Sequence, residues 1–374
     1  ESKNFKLKVP KLTLYSGEEL FIRFPIRKRG KTEAVPHATE MGTFEFSLPM
    51  NIVKKQPLPN YGREELYSQK DNSTGKELIH VFNNNVDFWF DLGSAEMTSL
   101  QVNNQELLAS APKLNFWRPA TDNDIVDKNA MRMWTNLNPE NVTRTVLETS
   151  YRQIDKYTVG IDVMLRYTDR SGNPLFDVRQ AYSILHTGDI LIDNKVVATE
   201  FVKAMPRVGY QFQINKNFDQ MHWLGLDKET YADRRMAGVM GTYHQSADEL
   251  FFSYSRPQSA GNRTDVHWVS ITDNKAGLFM DMIDSTFNFS VYPYSDKQLS
   301  TAAESFDLKK QSYRTLNVDF RQSGIGSALA QIPMADNVVL TQKEYEVRLH
   351  LRTYMLNEAD PLDFRRVLYP EGKS

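Results

Sequence analysis

The 374-residue sequence contains no cysteine. Disulfides, thiol nucleophiles and cysteine-ligated zinc are therefore excluded. An oxidising compartment stays open, because a chain of this length buries enough core to fold without cross-links. No apolar run approaches the roughly 20 residues that a membrane-spanning helix needs. No secretory leader is visible, and the opening at Glu1 reads as a mature or trimmed product. An excess of one charge is also lacking: 45 Lys and Arg stand against 47 Asp and Glu, a net charge of −2. That balance removes the electrostatic case for nucleic acid or an anionic membrane surface as partner. The longest basic cluster, Arg27 to Lys31, reads as a polar hairpin tip. Four Asn-x-Ser/Thr matches, at Asn72, Asn141, Asn262 and Asn288, carry no weight without a secretory context.

Helical periodicity is scarce, and alternating strand–helix units are missing, so neither a Rossmann fold nor a (β/α)8 barrel fits. Only Asp127–Leu137 and Pro361–Tyr369 read as helices, the second with Pro at its first position. Period-two alternation dominates instead. Val159, Ile161, Val163, Leu165 and Tyr167 point one way, and Gly160, Asp162, Met164 and Arg166 the other. Val208–Ile214 and Tyr345–Leu351 repeat the pattern. Turn signals such as "DRSGNP" (169–174) and "TDNKAG" (272–277) separate such runs. The fold class is therefore all-β, built from stacked antiparallel sheets. Residues 55–78 are polar, rich in turn formers and without periodicity, and are expected to be a linker. Residues 1–54 hold three apparent strands (5–15, 19–29 and 43–50), too few to close a sandwich. They predict a partial immunoglobulin-like domain. Residues 79–374 read as one large double-sheet body.

The motifs add a resemblance. "PKLNFWRPATDND" (112–124) resembles the signature that opens the C-terminal domain of glycoside hydrolase family 2 β-galactosidases. "DFWFDLGSAEMTSLQVNNQELL" (87–108), "MPRVGYQF" (205–212), "WLGLDKETYADR" (223–234), "GNRTDVHW" (261–268), "VYPYSDKQL" (291–299) and "FRQSGIGS" (320–327) are similar to segments that accompany it, in the same order. Residues 18–49 resemble the end of the immunoglobulin-like domain that precedes this body. The resemblance implies a β-supersandwich related to the galactose mutarotases. It also implies a parent enzyme that hydrolyses terminal β-galactosides with retention, using two carboxylates roughly 5 Å apart. In that family both carboxylates sit on a (β/α)8 barrel. No barrel is readable here, so no catalytic residue is assigned to this chain.

The remaining site residues follow from the same motifs. Gln331 stands near the place where the family carries a tryptophan that stacks on sugar. The pattern there is "GSALAQ" rather than one close to "GGDDSW", and an amide lacks the aromatic face that packs on the C–H face of a sugar. Gln331, Trp117 and Arg118 are the candidate substrate contacts. The alternative for the last two is a packed aromatic and an arginine with a carboxylate partner. Asp122, Asn123, Asp124 and Asp127 suggest a calcium loop, but Val126 and Asp127 stand where an EF-hand needs an oxygen ligand and glycine. No metal is assigned, and those residues are expected to cap a helix starting at Asp127. Glu229, Tyr231, Asp233 and Arg234 match the family, with the two carboxylates expected on nearby arginines. Arg263 and Asp265, two apart after Asn262, are expected on one face of a strand as scaffold, with Trp268 in the core.

The expectation is thus a non-catalytic C-terminal portion of a β-galactosidase, without cofactor of its own. It would wall the active-site mouth, contact the missing barrel domain, and meet β-galactosides in the full enzyme. Cations in the parent, whether monovalent or divalent, and a homo-oligomeric state stay open, as does the choice among periplasm, secretion and cytoplasm. The other reading is a stand-alone carbohydrate-binding or mutarotase-like domain. That reading needs a histidine acid and a glutamate base, for which His222, His244 and His267 are the nearest histidines to the motifs.

Overall fold

The computed structural model describes residues 4, 6, 8, 11–15, 18–30, 32, 36–48, 54–58, 64–126, 134–326 and 339–371. The chain divides into two compact units, Glu1–Asn60 with Asp360–Glu371, and Tyr61–Ala359 with Gly372–Ser374. In the first, β1 (Phe21–Arg27) and β2 (Glu40–Ser47) form an antiparallel hairpin. Ile22, Phe24 and Ile26 share one face with Phe44 and Phe46, since Ile22 pairs with Phe46 and Phe24 with Phe44. The strand expected at 5–15 is not found in its described part: Lys6, Lys8 and residues 11–15 are irregular apart from a bridge position at Leu14, and the first strand begins at Phe21. A short strand β3 (Gln56–Pro57) lies parallel to Val367–Leu368. Asp360 caps the helix Pro361–Arg365 through the Leu362 amide. This helix ends four residues earlier than expected, because Val367 and Leu368 are drawn into pairing with Gln56 and Pro57.

Among the described residues the second unit holds three antiparallel sheets. The first joins β4 (Tyr67–Asp71), β5 (Leu78–Phe82), β6 (Asp87–Asp91), β7 (Glu96–Val102) and β8 (Gln105–Glu106) in chain order. Strand β4 lies inside the segment expected as linker. The later strands are β9 (Leu108–Asn115), β10 (Thr143–Asp155), β11 (Thr158–Thr168), β12 (Pro174–Leu185), β13 (Asp189–Ala198), β14 (Arg207–Asn215) and β15 (Gln220–Leu226). They continue through β16 (Met240–Ser246), β17 (Arg263–Val266), β18 (Trp268–Thr272), β19 (Ala276–Met282), β20 (Phe287–Tyr292), β21 (Tyr313–Gln322) and β22 (Glu344–Met355). A nine-stranded sheet runs β10-β11-β12-β13-β22-β19-β18-β15-β16, and a five-stranded sheet runs β17-β20-β21-β14-β9. The expected all-β class with large antiparallel sheets holds.

The alternating runs become strands as expected, and so do the turns. Asp169 accepts from the Ser171 and Asn173 amides while Gly172 takes a positive φ. Asp273 does the same for Lys275 and Ala276. One continuous core joins the sheets. Phe116 stacks on Phe176 at 3.8 Å, and Phe90 meets Tyr182 edge-on at 5.2 Å. From β14, Tyr210 crosses the core to donate to Asn194 on β13 at 2.7 Å. A buried hydroxyl needs such a partner, so this bond fixes which strands of the two sheets face each other.

Gly209 sets the spacing within the five-stranded sheet. A Cβ there would lie 2.4 Å from both the Val318 carbonyl and the Asp319 Cα. Those are backbone atoms of the paired strand, which cannot swing aside. Gly209→Ala is expected to lower stability by about 2 kcal/mol or more, read as a lower denaturant midpoint in urea unfolding.

Candidate functional site

The five-stranded sheet β17-β20-β21-β14-β9 is largely buried on both faces except along its edge strand β9, and the two faces differ in chemistry. Tyr210, Phe212, Val318, Leu316, Phe289 and Val291 share the face that meets the nine-stranded sheet. Gln211, Asn317, Asp319, Ser290 and Tyr292 point the other way. There Gln211 donates to Asp296 at 2.9 Å and to Asn317 at 3.0 Å, and Asn317 donates to Ser290 and Tyr292. Arg207 and Asp319 lie deepest, neither side chain having any solvent exposure, with Arg207 Nε 3.4 Å from Asp319 Oδ2. Among the described residues neither group has a hydrogen-bond partner. Burial pushes the Asp319 carboxyl up to about 7, against the pull of Arg207.

Four of the segments that the motifs single out converge over this polar face. Arg118 and Tyr231 lie within electrostatic reach of the buried pair. Arg118 donates to Asp124 through both Nη1 (2.6 Å) and Nη2 (3.2 Å), with both side chains fully buried. Asp124 also accepts from the Thr121 amide and hydroxyl. Arg118 further reaches the Gly324 carbonyl at 3.4 Å and lies over the Trp134 ring. Asp122 is held by Arg256 Nε at 2.6 Å and by Gln258 Nε2 at 2.8 Å. Hydrogen bonds from Gln258 and Arg256 keep its carboxyl below the usual carboxylate range. Asn123 donates to the Gly326 carbonyl at 3.1 Å, and Arg234 donates to the same oxygen. Asp233 accepts from the amides of Ile325 (3.1 Å) and Gly326 (2.8 Å). A Cβ on Gly324 would meet that carboxylate at 2.7 Å, so only glycine lets it approach.

Three expectations are corrected here. Asp122–Val126 are themselves a short helix started by Thr121, so Asp122, Asn123 and Asp124 do not cap a helix at Asp127; Asp127 lies outside the described residues. Glu229 and Asp233 do not rest on arginines. Glu229 accepts from the Tyr231 and Tyr254 hydroxyls, and Asp233 takes backbone amides. Arg263 and Asp265 do not share a face, because Asp265 adopts φ 55° and the register slips between Arg263 and Val266. Arg263 turns inward over the Trp223 ring, and Asp265 turns outward to Arg235 at 2.7 Å.

Asn262 is buried and donates to the Thr230 carbonyl at 2.7 Å, which ties the opening stretch of β17 to the loop after β15. Trp268 is buried as expected. Trp117 is half-buried beside Arg118. Gln331 lies outside the described residues. His222 and His244 stack on each other across β15 and β16. The His267 amide donates to Leu224.

The sequence reading passed over a second buried cluster, on central strands of the nine-stranded sheet. His350 on β22 donates from Nδ1 to Asp281 at 2.8 Å and from Nε2 to Asp189 at 2.9 Å. Asp189 also takes Arg352 at 2.9 Å. Burial alone depresses the imidazole, but the two carboxylates overcome it and raise His350 to about 9. Burial works against the Asp189 carboxylate, yet Arg352 and His350 hold it well below its ordinary value. The available signal was a lone charge inside an apolar run, Asp281 within "AGLFMDM". Asp319 within "LNVDF" gave the same signal for the polar face.

The structure thus defines a large antiparallel β-sandwich module with a loop-covered polar face. Residues 82–351 match the model of the beta galactosidase small chain, and the chain belongs to that family. A β-galactosidase of Priestia megaterium is 28% identical over 67% of this chain, and one of Photobacterium profundum is 25% identical over 88%. The chain spans 24% and 31% of their respective lengths. Among solved structures, a galactose 1-epimerase from Lactobacillus acidophilus is similar at 9% identity and TM-score 0.39, covering 78% of this chain and 99% of that one.

Two outcomes follow from these clusters. Asp124→Ala leaves Arg118 buried and unpaired, and is expected to cost about 3–5 kcal/mol in unfolding free energy; Arg118→Met combined with Asp124→Leu recovers most of it. For His350 the folded form holds the proton more tightly than the unfolded form, so its contribution opposes alkali. That contribution, on the order of 3 kcal/mol, is complete below about pH 6.5 and gone above about pH 9. Urea midpoints measured from pH 6 to pH 9.5 are expected to fall across that window.

Proposed function

We propose that this chain is the non-catalytic C-terminal portion of a retaining family 2 β-galactosidase, and that its loop face walls the active-site mouth of the whole enzyme. One observation carries the reading. Segments 117–126, 229–235, 256–263 and 323–326, distant in sequence, meet in one hydrogen-bonded surface over the polar face of the five-stranded sheet. Its carboxylates hold loops: Asp124 is taken by Arg118, Asp122 by Arg256 and Gln258, and Asp233 by backbone amides. Asp124 is buried, and the exposed Asp122 and Asp233 already spend their oxygens on neighbouring loops, so these groups serve positioning. In this reading the substrate of the whole enzyme is a terminal β-galactoside, and bond cleavage belongs to a barrel domain.

The first unit supports the same reading. Phe24, Phe44 and Phe46 are each at least 40% exposed on one face of the β1–β2 hairpin. A two-stranded hairpin with an open apolar face does not close a core alone. We read residues 1–54 as the end of an immunoglobulin-like sandwich whose other strands belong to the preceding part of the enzyme.

The test is reconstitution. The purified chain should not hydrolyse a nitrophenyl β-galactoside, and adding a polypeptide that carries the preceding domains should restore turnover. Enzyme-like hydrolysis by the chain alone would overturn the proposal. So would saturable galactose binding together with no gain in activity on mixing, which belongs to a stand-alone sugar-binding domain.

A further inference from the structure

At the open edge of the nine-stranded sheet, two imidazoles face each other. His222 on β15 is directly opposite His244 on the edge strand β16. Their rings stack with centroids 4.1 Å apart and planes 17° from parallel. His244 is exposed and His222 half-buried, so the pair is open to solvent on one side. Two like groups that both gain charge on protonation repel when stacked. Burial, and then the neighbouring His244, lower the His222 pKa, so the neutral ring with its lone pair prevails at neutral pH.

A second observation concerns the support behind His244. Gln220 Nε2 donates to Asp219 Oδ1 at 3.0 Å, which turns the amide oxygen of Gln220 toward His244 Nε2, also at 3.0 Å. His244 Nε2 must then be the N–H donor, and its lone pair sits on Nδ1. A carboxylate acting through an intermediate to hold one imidazole nitrogen, while the other is left as a base, is how metal-ligating histidines are oriented. Glu249, which caps the helix Ala247–Leu250 through Ser246, adds negative charge within reach of His244. Two imidazole nitrogens bound to one metal at ~2.1 Å lie roughly 3 Å apart. The stacked rings point their lone pairs in parallel, so binding one ion requires the exposed His244 ring to turn out of the stack until the two nitrogens converge.

We propose that His222 and His244 form a site for one divalent transition metal such as Ni²⁺, Zn²⁺ or Cu²⁺, with solvent completing the coordination. Imidazole ligands select these ions over Mg²⁺ and Ca²⁺, which prefer oxygen. The bound ion cross-links the edge strand to its neighbour. This site lies on the nine-stranded sheet and does not depend on the enzymatic reading above.

The test is calorimetric titration of the tag-free full chain with NiCl₂, paired with thermal unfolding in Ni²⁺ and in Mg²⁺. Saturable 1:1 Ni²⁺ binding is expected, with a raised unfolding midpoint in Ni²⁺ and none in Mg²⁺. His244→Asn, at an exposed edge position, should weaken Ni²⁺ at least about tenfold, and Gln220→Leu about tenfold through the lost support. Absence of saturable Ni²⁺ binding overturns the proposal, and so does an unchanged affinity in His244→Asn.

Discussion

The loop face rests on one buried ion pair. Arg118 and Asp124 have no solvent exposure, and each would be strongly destabilising alone. Together they satisfy both guanidinium Nη atoms and take the Thr121 amide and hydroxyl into the same network. The planar fork of arginine fits the two carboxylate oxygens, which lysine does not. Because Arg118 also reaches the Gly324 carbonyl, the pair fixes two segments some 200 positions apart in the chain. The neighbouring tethers from Asp122, Asn123, Asp233 and Arg234 close around that fixed point.

The five-stranded sheet joins this arrangement to the rest of the unit. Its apolar face is part of the common core, and its polar face carries Arg207, Asp319, Asn317 and Tyr292 beneath the loops. A sheet used on both sides transmits position: the core sets the strands, the strands set the polar groups, and those groups lie under the loops. Arg207 and Asp319 mark where the demand is greatest, since their hydrogen-bonding capacity is buried and unmatched. Burying such a pair costs desolvation that its mutual attraction need not repay. That fits a chain whose proposed work is to hold a surface in place for a larger enzyme.

The sequence made the fold class readable because alternation in β11, β14 and β22 is a local property, visible within ten residues. Turn chemistry at Asp169–Gly172 and Asp273–Asn274 was local in the same way. The candidate site was legible as a set of motifs but not as contacts. That Asp233 holds backbone amides rather than arginines depends on a partner 92 positions away. Asp265 broke the alternation because a single positive φ reverses which face the next side chain takes; aspartate tolerates that conformation, but few aspartates adopt it. The His350 cluster was missed for a related reason. In the sequence only His350 falls on the polar side of an alternating run, and only the strand order brings it beside Asp189 and Asp281 on two other strands.

That strand order has a consequence for how the protein is made. In the nine-stranded sheet β13 is completed not by its successor but by β22, whose residue 350 bonds with residue 191. A ribosome at ~5–20 residues per second emits the intervening stretch over roughly ten to thirty seconds. Throughout that interval β13 has one ladder of amides and carbonyls unfilled, in a segment as apolar as "DILIDNKVVA". The finished molecule closes that seam at its centre, so the moment of greatest exposure to aggregation belongs to the nascent chain and leaves no trace in the completed sheet.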